Sequence, residues 1–293
     1  MNNIFETLSQ IGVASIENRE LFSEGTRDLK DLKVYRDRIS GVIYIDEHFG
    51  GEEIYKDAQY RKSDGPSKTE ARSYELTLDA ERRIADYRAY VAGKRVLDFG
   101  CGDGGFLKAF QGSATYCCGV ELQQDYLEAL NEEGIPCFTS LDAVPEESID
   151  TVVCFHVLEH LPQPLPVLQD MMRVLRPGGT AVFEVPHAND FLLTYLKNQA
   201  FKSFTLWSQH LVLHTRESLM RLLQVGGLDQ VVIEGVQRYP LSNHLTWLSE
   251  NRPGGHKSPM AAIDTPMLVE AYEAALNRID ANDTLVAIAK KPA

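Results

Sequence analysis

The chain lacks several features that define whole classes of protein. Its 293 residues include five cysteines, all between Cys101 and Cys154 and without the spacing of a zinc site. This excludes a disulfide-stabilised secreted scaffold, and we expect buried thiols in a reducing cytoplasm. No apolar run approaches the ~20 residues that cross a bilayer. The first ten residues hold no basic segment before an apolar one, so we expect no secretory signal and no membrane partner.

Basic charge is also scarce. The chain has 29 Lys and Arg against 42 Asp and Glu, a net charge of −13 with histidine neutral. Such a surface is repelled by a phosphate backbone, so we expect a small-molecule partner and no nucleic acid. There is no internal repeat, and hydrophobic and charged contents of 44% and 24% are ordinary. Disordered and collagen-like classes are therefore excluded.

Short apolar runs alternate with helical segments from residue 94 onward. The predicted strands are 95–99, 115–120, 135–138, 149–155, 180–185, 231–234 and 284–289, and the predicted helices are 105–110, 123–133, 165–175 and 216–226. Strands that alternate with helices indicate right-handed βαβ crossovers and a mostly parallel sheet covered by helices on both faces. The sequence therefore predicts an α/β fold with seven strands.

The same pattern predicts two domains. Residues 93–293 form the α/β core, with residues 236–282 inserted before the last strand and a Pro-Gly-Gly turn within that insertion. Residues 1–92 form an N-terminal extension with short strands at 33–35 and 41–45 and an amphipathic helix at 74–92. We expect the extension and the insertion together to build the pocket for the small molecule on which the protein acts. The sequence leaves the oligomeric state open, with a homodimer among the expectations.

A glycine-rich loop ends the first core strand. It reads DFGCGDGG over residues 98–105, and Gly100, Gly102 and Gly105 satisfy the G-x-G-x-x-G pattern. Glycines allow positive φ and close backbone approach, at the sheet edge where such folds bind ligands. Glu121 ends the second strand, at the distance expected of a carboxylate that binds ribose hydroxyls.

Two cofactors compete for this loop. A dinucleotide would place its pyrophosphate on the helix N-terminus, whereas S-adenosylmethionine carries a sulfonium and an amino acid head. Asp98 and Asp103 flank the glycines, and two carboxylates repel a pyrophosphate but attract an ammonium and a sulfonium. The charges favour S-adenosylmethionine. An NAD(P)-dependent oxidoreductase and a non-catalytic S-adenosylmethionine-binding protein are the alternatives.

These segments resemble the class I S-adenosylmethionine-dependent methyltransferases. The matching residues are VLDFGCGDGGF at 96–106, Glu121, IDTVVCF with HVLEHL at 149–161, and RVLRPGGTAVFEVP at 173–186. The resemblance implies a seven-stranded Rossmann-like sheet and S-adenosylmethionine as cofactor. It also implies that the glycine loop holds the methionine end, the acid after strand two holds the ribose, residues after strand three flank adenine, and Phe155 and His156 lie beneath the sulfonium. The implied cofactor-binding residues are Asp98, Phe99, Gly100, Cys101, Gly102, Glu121, Leu122, Leu141, Asp142, Phe155 and His156.

A histidine cluster follows the fourth core strand. His156, Glu159 and His160 stand at i, i+3 and i+4, which places them on one face of a helical turn, as metal ligands require. Ubiquinone-biosynthesis and small-RNA 2′-O-methyltransferases have a similar acid-x-x-Glu-His followed by a later histidine, and that resemblance implies a divalent metal on His156, Glu159, His160 and His210. Histidine replaces their first acid, and imidazole suits zinc or iron better than magnesium.

Two other roles for the histidines stay open. A neutral histidine accepts a hydroxyl proton, so His160, His210 or His187 is a candidate catalytic base. A purely structural role, capping the loop or lining the pocket, is the third reading.

Two further resemblances bear on the acceptor. The zone 34–60 is similar to the entry module of methyltransferases that act on sugars and other small molecules, where a zinc ribbon is common. This chain has no cysteine before Cys101, so we predict no metal there. The segment 246–256 is similar to methyltransferases of surface-polysaccharide gene clusters. The sequence thus predicts a cytoplasmic enzyme that O-methylates a small polar acceptor such as a sugar or nucleotide-linked sugar.

Overall fold

A computed structural model describes residues 3–46, 48, 51 and 66–293, with the backbone alone for residues 66–77. Part of the zone 34–60 therefore lies outside the described residues. The strands are β1 Arg19–Ser23, β2 Val34–Asp37, β3 Ile43–Ile45, β4 Arg95–Phe99, β5 Tyr116–Val120, β6 Cys137–Phe138, β7 Ile149–Phe155, β8 Leu175–Pro186, β9 Val212–Leu213, β10 Asp229–Val236 and β11 Thr284–Lys290. The α-helices are α1 Ile4–Gln10, α2 Pro66–Val91, α3 Gly105–Phe110, α4 Gln124–Glu132, α5 Pro164–Val174, α6 Gln199–Thr205, α7 Arg216–Val225, α8 Leu241–Glu250 and α9 Pro266–Arg278.

The central sheet has seven strands in the order β10-β11-β8-β7-β4-β5-β6. Pairing is parallel from β8 to β6, and β11 is antiparallel to both of its neighbours. The predicted seven-stranded α/β fold is confirmed. Because β4 lies between β5 and β7, the loops after these three strands meet at one edge of the sheet, where ligands bind in such folds.

Several strands of the sheet begin or end at other residues than predicted, and β8 differs most. The sequence predicts a strand at 180–185, but β8 begins at Leu175 and includes the Pro-Gly-Gly at 177–179. Leu175 pairs with Ile149, the register then shifts, and regular pairing resumes at Thr180 opposite Thr151. The register shift accommodates Gly178 and Gly179, so the strand continues through them.

A second, antiparallel sheet has the order β1-β2-β3-β9. The sequence analysis found two of its strands and missed β1 and β9; β9 has two residues, too few for a periodic signal. The isolated bridge between His187 and His214 connects the end of β8 to the segment after β9. A domain division at residue 92 stays a prediction, since the small sheet takes its fourth strand from beyond that point.

Two apolar clusters hold the layers together. Helix α1 buries Ile4 and Leu8 in the main core, with Leu168 of α5 and Phe183 of β8. Helix α2 buries Tyr87 and Val91 in a second cluster that includes Phe106. Burial of one large apolar side chain stabilises the fold by about 1.5–3 kcal/mol. This second cluster fixes the C-terminal half of α2 against the core, beside the glycine loop.

The insertion is mostly helical. Residues 236–282 hold α8, α9 and two 3₁₀ segments, Gly255–Lys257 and Pro259–Ile263. Its buried apolar side chains are Ala281, Trp247 and Leu276. Among the residues that the structure describes, no helix has both the length and the apolar character needed to cross a bilayer.

Candidate functional site: a cofactor loop beside a histidine cluster

The glycine loop has a backbone that only glycine adopts without strain. Gly100 has φ 78°, and a Cβ built there would lie 2.4 Å from Val157 Cγ2. Gly102 has φ 57°, and a Cβ there would have no neighbour within 4 Å, so open space lies above it. The left-handed φ and the close approach of Val157 both require the glycine at position 100. Open space at position 102 lets a ligand approach the backbone.

Glu121 connects this loop to the end of β5. Its Oε2 accepts the Gly102 N–H at 2.8 Å, and its Oε1 accepts the N–H groups of Leu122 and Gln123, also at 2.8 Å. The carboxylate is therefore fixed in place and is 8% exposed. Oε1 thus accepts two bonds and Oε2 only one from the described residues, which leaves Oε2 a lone pair able to accept a hydrogen bond from a ribose hydroxyl. Leu122, 37% exposed, lies next to it along the chain.

Asp98 lies at the base of the loop and is 4% exposed. Burial raises the pKa of its carboxyl to about 7, against an opposing effect of the Arg83 charge. No hydrogen bond from another described residue reaches this side chain. A buried carboxylate without partners fits a ligand ammonium group, because the new ion pair offsets the burial cost. With the open space at Gly102, these residues fit the amino acid head of S-adenosylmethionine.

The other predicted cofactor residues lie along the same sheet edge. Leu141 is buried in the 3₁₀ turn Leu141–Ala143, and the exposed Asp142 accepts from Ser140 Oγ at 2.8 Å. Phe155 ends β7 with the Tyr87 ring stacked at 5.5 Å and the Arg83 guanidinium 4.3 Å from its centroid. Cys101 packs inward, with its Sγ 3.8 Å from Cys137 Sγ. Their contact with the cofactor stays a prediction.

His156 follows Phe155 in a strained conformation. Its φ is 54°, in the left-handed region that non-glycine residues rarely adopt, at a cost of about 1–3 kcal/mol. Its Nδ1 lies 3.2 Å from Glu159 Oε1 and its Nε2 lies 3.9 Å from Glu184 Oε2. The strain turns the imidazole between two buried carboxylates.

Three of the four predicted metal ligands, Glu159, His160 and His210, lie together. One ligand atom from each lies within 4.8 Å of the others. His160 Nδ1 lies 2.7 Å from the Gln209 carbonyl oxygen, which only accepts, so Nδ1 carries the proton and Nε2 keeps its lone pair. Glu159 Oε2 and His210 Nδ1 are buried, and neither has a hydrogen-bond partner among the described residues.

Burial sets the protonation states in this cluster. It lowers the pKa of His160 to about 4 and that of His210 well below its ordinary value, so both rings are neutral at pH 7. Burial also raises the pKa of Glu159 to about 8. Two neutral imidazoles and one carboxyl with unsatisfied atoms fit a divalent cation of the zinc or iron type. His156, the fourth predicted ligand, lies outside this group and contacts Glu159 instead.

His187 lies in a different environment from the cluster. It is 2% exposed, and its Nδ1 donates to the Asn282 carbonyl at 2.9 Å. Its Nε2 lies 3.7 Å from Asp280 Oδ2. These contacts link the end of β8 to the segment before β11, so His187 helps to hold these two segments together. A role for His187 as catalytic base stays a prediction.

Sequence reasoning missed a buried ion network around Glu184. This side chain is fully buried in β8; Arg82 Nη2 and Arg83 Nε donate to its Oε2 at 3.0 and 2.8 Å, and Tyr87 Oη donates to its Oε1 at 2.6 Å. Burial raises the pKa of Glu184, but Arg83 and Arg82 more than reverse this and hold it well below its usual range. In the sequence, this network is indicated by one acidic residue, Glu184, within the apolar run AVFEVP.

The comparisons with known proteins agree with this geometry. A family model described as a methyltransferase domain matches residues 75–232, more than half of the chain. The chain belongs to this family, and it is a class I S-adenosylmethionine-dependent methyltransferase. This confirms the predicted enzyme class and cofactor, and the oxidoreductase alternative is set aside.

The relatives have one activity in their names. A ubiquinone biosynthesis O-methyltransferase of Methylococcus capsulatus is 29% identical over 192 residues, which are 59% of this chain and 80% of the relative. One of the same name from Paracidovorax citrulli is 35% identical over 115 residues, 36% of this chain and 48% of the relative. The matches thus span from about half to four fifths of these relatives' own length.

Solved structures share the fold. A SAM-dependent methyltransferase from Thermotoga maritima aligns with a TM-score of 0.51 at 15% identity, over 77% of this chain and 95% of that chain. A chain from the Haloferax volcanii complex between the Trm112 methyltransferase activator and a methyltransferase aligns with a TM-score of 0.52 at 16% identity, over 83% and 98%. At these identities the likeness shows the fold alone.

Proposed function

We propose that this methyltransferase transfers its methyl group to an oxygen of a small acceptor that carries hydroxyl groups. The observation that carries the proposal is the cluster of Glu159, His160 and His210, with ligand atoms within 4.8 Å of one another. Glu159 and His160 follow β7, at the sheet edge that also holds the glycine loop after β4, and His210 joins them from the segment before β9. The O-methyltransferase names of the relatives support transfer to oxygen.

The three side chains would hold a divalent cation. When bound, such an ion lowers the pKa of an acceptor hydroxyl and so supplies an oxygen nucleophile at neutral pH. Glu159 and His210 supply atoms that otherwise lack partners, and the Gln209 carbonyl orients His160. Buried surroundings exclude water, which strengthens every charge interaction there.

The rest of the catalysis is positional. The glycine loop and Glu121 hold the cofactor, and Phe155 and His156 form the floor between it and the cluster. Holding acceptor and methyl donor aligned at about 3–3.5 Å accounts for about 7–11 kcal/mol of the barrier in well-oriented reactions. A histidine acting without metal remains the second candidate, with His160 or His210 as the proton acceptor.

Metal content and activity test the proposal together. Protein purified without chelator is analysed for zinc, iron and manganese, and S-adenosylhomocysteine release is measured with catechol and a methyl pyranoside panel. We expect about one ion per chain. The E159Q and H210A variants should lose this ion, and their turnover should fall at least ~100-fold. The matched control is Glu147→Gln, an exposed acid before β7, which keeps both ion and activity.

Three outcomes contradict the proposal in different ways. Full turnover in chelator, with no ion bound, removes the metal and leaves the histidine base. Methylation of nitrogen or carbon acceptors alone removes the oxygen acceptor. An unchanged E159Q removes the cluster from the mechanism. A cytoplasmic location and a homodimer remain predictions from the sequence.

A further inference from the structure

His210 lies on an irregular segment of the chain. Residues 206–211 connect α6 to β9 and belong to no helix or strand. Within the segment, the His210 N–H donates to the Trp207 carbonyl at 3.0 Å and closes a single turn. Regular backbone pairing therefore does not fix the direction of the imidazole, and contacts from other parts of the chain do so.

Two backbone groups attach the end of this segment to the histidine cluster. The Leu211 N–H donates to the Glu159 carbonyl at 2.8 Å, and the Gln209 carbonyl accepts from His160 Nδ1 at 2.7 Å. These bonds hold the residues on either side of His210, but they do not involve its imidazole. The start of the segment is anchored elsewhere.

Asp28 of the N-terminal extension anchors the start of the segment, from 180 positions away. Its Oδ1 accepts the Ser208 N–H at 3.1 Å, and its Oδ2 accepts the Ser208 hydroxyl. A carboxylate that accepts both polar groups of one residue fixes the orientation of that residue as well as its position. The Arg27 N–H also donates to the Leu206 carbonyl at 2.8 Å, so the two segments are joined at adjacent points.

A tight turn holds Asp28 in place. The Thr26 N–H donates to the Leu29 carbonyl at 2.8 Å, and Thr26 Oγ1 donates to Asp28 Oδ1 at 2.9 Å. Burial raises the pKa of Asp28, but the bonds from Ser208 and Thr26 more than reverse this, so the carboxyl is ionised at pH 7. Asp28 therefore presents a fixed negative charge to Ser208.

Trp207 connects the anchored turn to the imidazoles. Its ring centroid lies 5.2 Å from that of His210 and 6.0 Å from that of His160, with the rings edge to face. The Arg27 guanidinium lies 4.5 Å from the centroid of the same indole. The indole thus contacts both the N-terminal extension and the cluster. Because Trp207, Ser208 and His210 belong to one turn, a shift of Ser208 moves both rings.

We propose that Asp28 is a positioning residue of the candidate metal site, because its bonds to Ser208 hold the turn from which His210 reaches Glu159 and His160. The inference rests on the proposed function, since Asp28 acts through the same cluster. Removal of such an outer partner typically lowers metal affinity about 10–100-fold. The N-terminal extension thereby contributes to the chemistry through the position of one imidazole.

Zinc affinity measures this positioning without requiring turnover. Zn²⁺ alone is titrated into the full chain, stripped of bound metal, in competition with a chromophoric chelator. We expect Asp28→Ala to weaken zinc binding about 10–100-fold, and Ser208→Ala, which keeps the backbone bond, to weaken it by less than about tenfold. The control is Asp31→Ala, an exposed acid in the same segment, which leaves the affinity unchanged. S-adenosylhomocysteine should bind all three variants as it binds wild type.

Histidine NMR of the metal-free protein is the second readout and covers a folding failure of D28A. In the milder variants D28N and S208A, we expect the ring signals of His210 to shift and its nuclear Overhauser effect with Trp207 to weaken. The ring signals of His187 should stay in place. A merely structural role of Asp28 would lower Tm and leave the His210 signals unchanged well below that temperature.

The outcomes separate this inference from the proposed function. Zinc affinity in D28A equal to that in D31A, or a parallel loss of zinc and S-adenosylhomocysteine affinity, overturns the positioning role. Unchanged His210 signals in D28N overturn it whether or not zinc binds. A wild-type protein that binds no zinc, while D28N displaces His210, refutes the metal and leaves the positioning. Zinc binding and turnover that D28A does not alter refute the positioning and leave the proposed function.

Discussion

Replacing Asp98 by asparagine should stabilise the cofactor-free protein and weaken cofactor binding at the same time. The carboxyl is 4% exposed, and burial raises its pKa from 3.8 to about 7. Above pH 7 the folded protein must ionise this group in a buried position. The difference of about 3 pKa units corresponds to about 4 kcal/mol of stability lost on ionisation. Asparagine has nearly the same shape and no charge.

We expect D98N to gain about 2–4 kcal/mol at pH 8, since the buried amide keeps part of the desolvation cost. For a chain of this size that is about 4–8 °C in Tm. The pH dependence gives the sign: a folded pKa above the unfolded value makes wild-type stability fall as pH rises from about 4 to about 7. The advantage of D98N should therefore be absent below pH 4, grow through that window and stay constant above pH 7.

Thermal unfolding at several pH values, with calorimetric titration of S-adenosylhomocysteine, measures both effects. Affinity should fall about ten- to a hundredfold, the loss of one charge-assisted hydrogen bond. Asp103→Asn is the stability control, because Asp103 lies exposed in the same loop and should change stability by less than ~0.5 kcal/mol. A D98N protein that is less stable at pH 8, or whose advantage does not vary with pH, would refute the reasoning.

Two further substitutions test the supports of the site. E184Q leaves the partly buried Arg82 and Arg83 without their counter-charge and should cost about 2–3 kcal/mol in urea unfolding, less than for a fully buried pair. Since that carboxyl has a lowered pKa, the cost should shrink as pH falls below about 4.5. A cost as small as that of E147Q, at an exposed acid, would contradict the network. G112A should cost about 1–2 kcal/mol because φ is 85° with no neighbour within 4 Å. G100A has the same φ penalty plus the contact with Val157 and should also lose S-adenosylhomocysteine binding; equal unfolding curves for the two would show that Val157 moves aside.

Local pattern was enough to predict much of the fold. The core strands β4 and β7 and helix α3 have the bounds that alternating apolar runs and glycine punctuation predict, because each is defined by its own residues and immediate flanks. The glycine loop and Glu121 were predicted for the same reason: a motif of fixed spacing at a strand end brings its own geometry. The family resemblance then implied the seven-stranded Rossmann-like sheet.

Other features depend on contacts that the chain order hides. The two-residue strand β9 exists because β3 offers it an edge, and no pattern of two residues predicts that. Glu184 reads as an anomaly in a strand until α2 brings Arg82, Arg83 and Tyr87 to it from about a hundred residues away. The pairing of Asp79 with Arg238 spans 159 positions.

The histidine cluster depends partly on local sequence and partly on tertiary packing. The spacing of Glu159 and His160 along the chain fixed their proximity, because three residues of a 3₁₀ turn hold them together. The residues of the glycine loop also predicted S-adenosylmethionine as the cofactor, and the acidic net charge gave the expectation that no nucleic acid binds. Only tertiary packing decided that His210 joins them while His187 does not, and that His156 turns towards carboxylates. Elements that are far apart in the sequence bury these side chains and decide which of their polar atoms lack hydrogen-bond partners. The separation of residues along the chain does not show which side chains become buried.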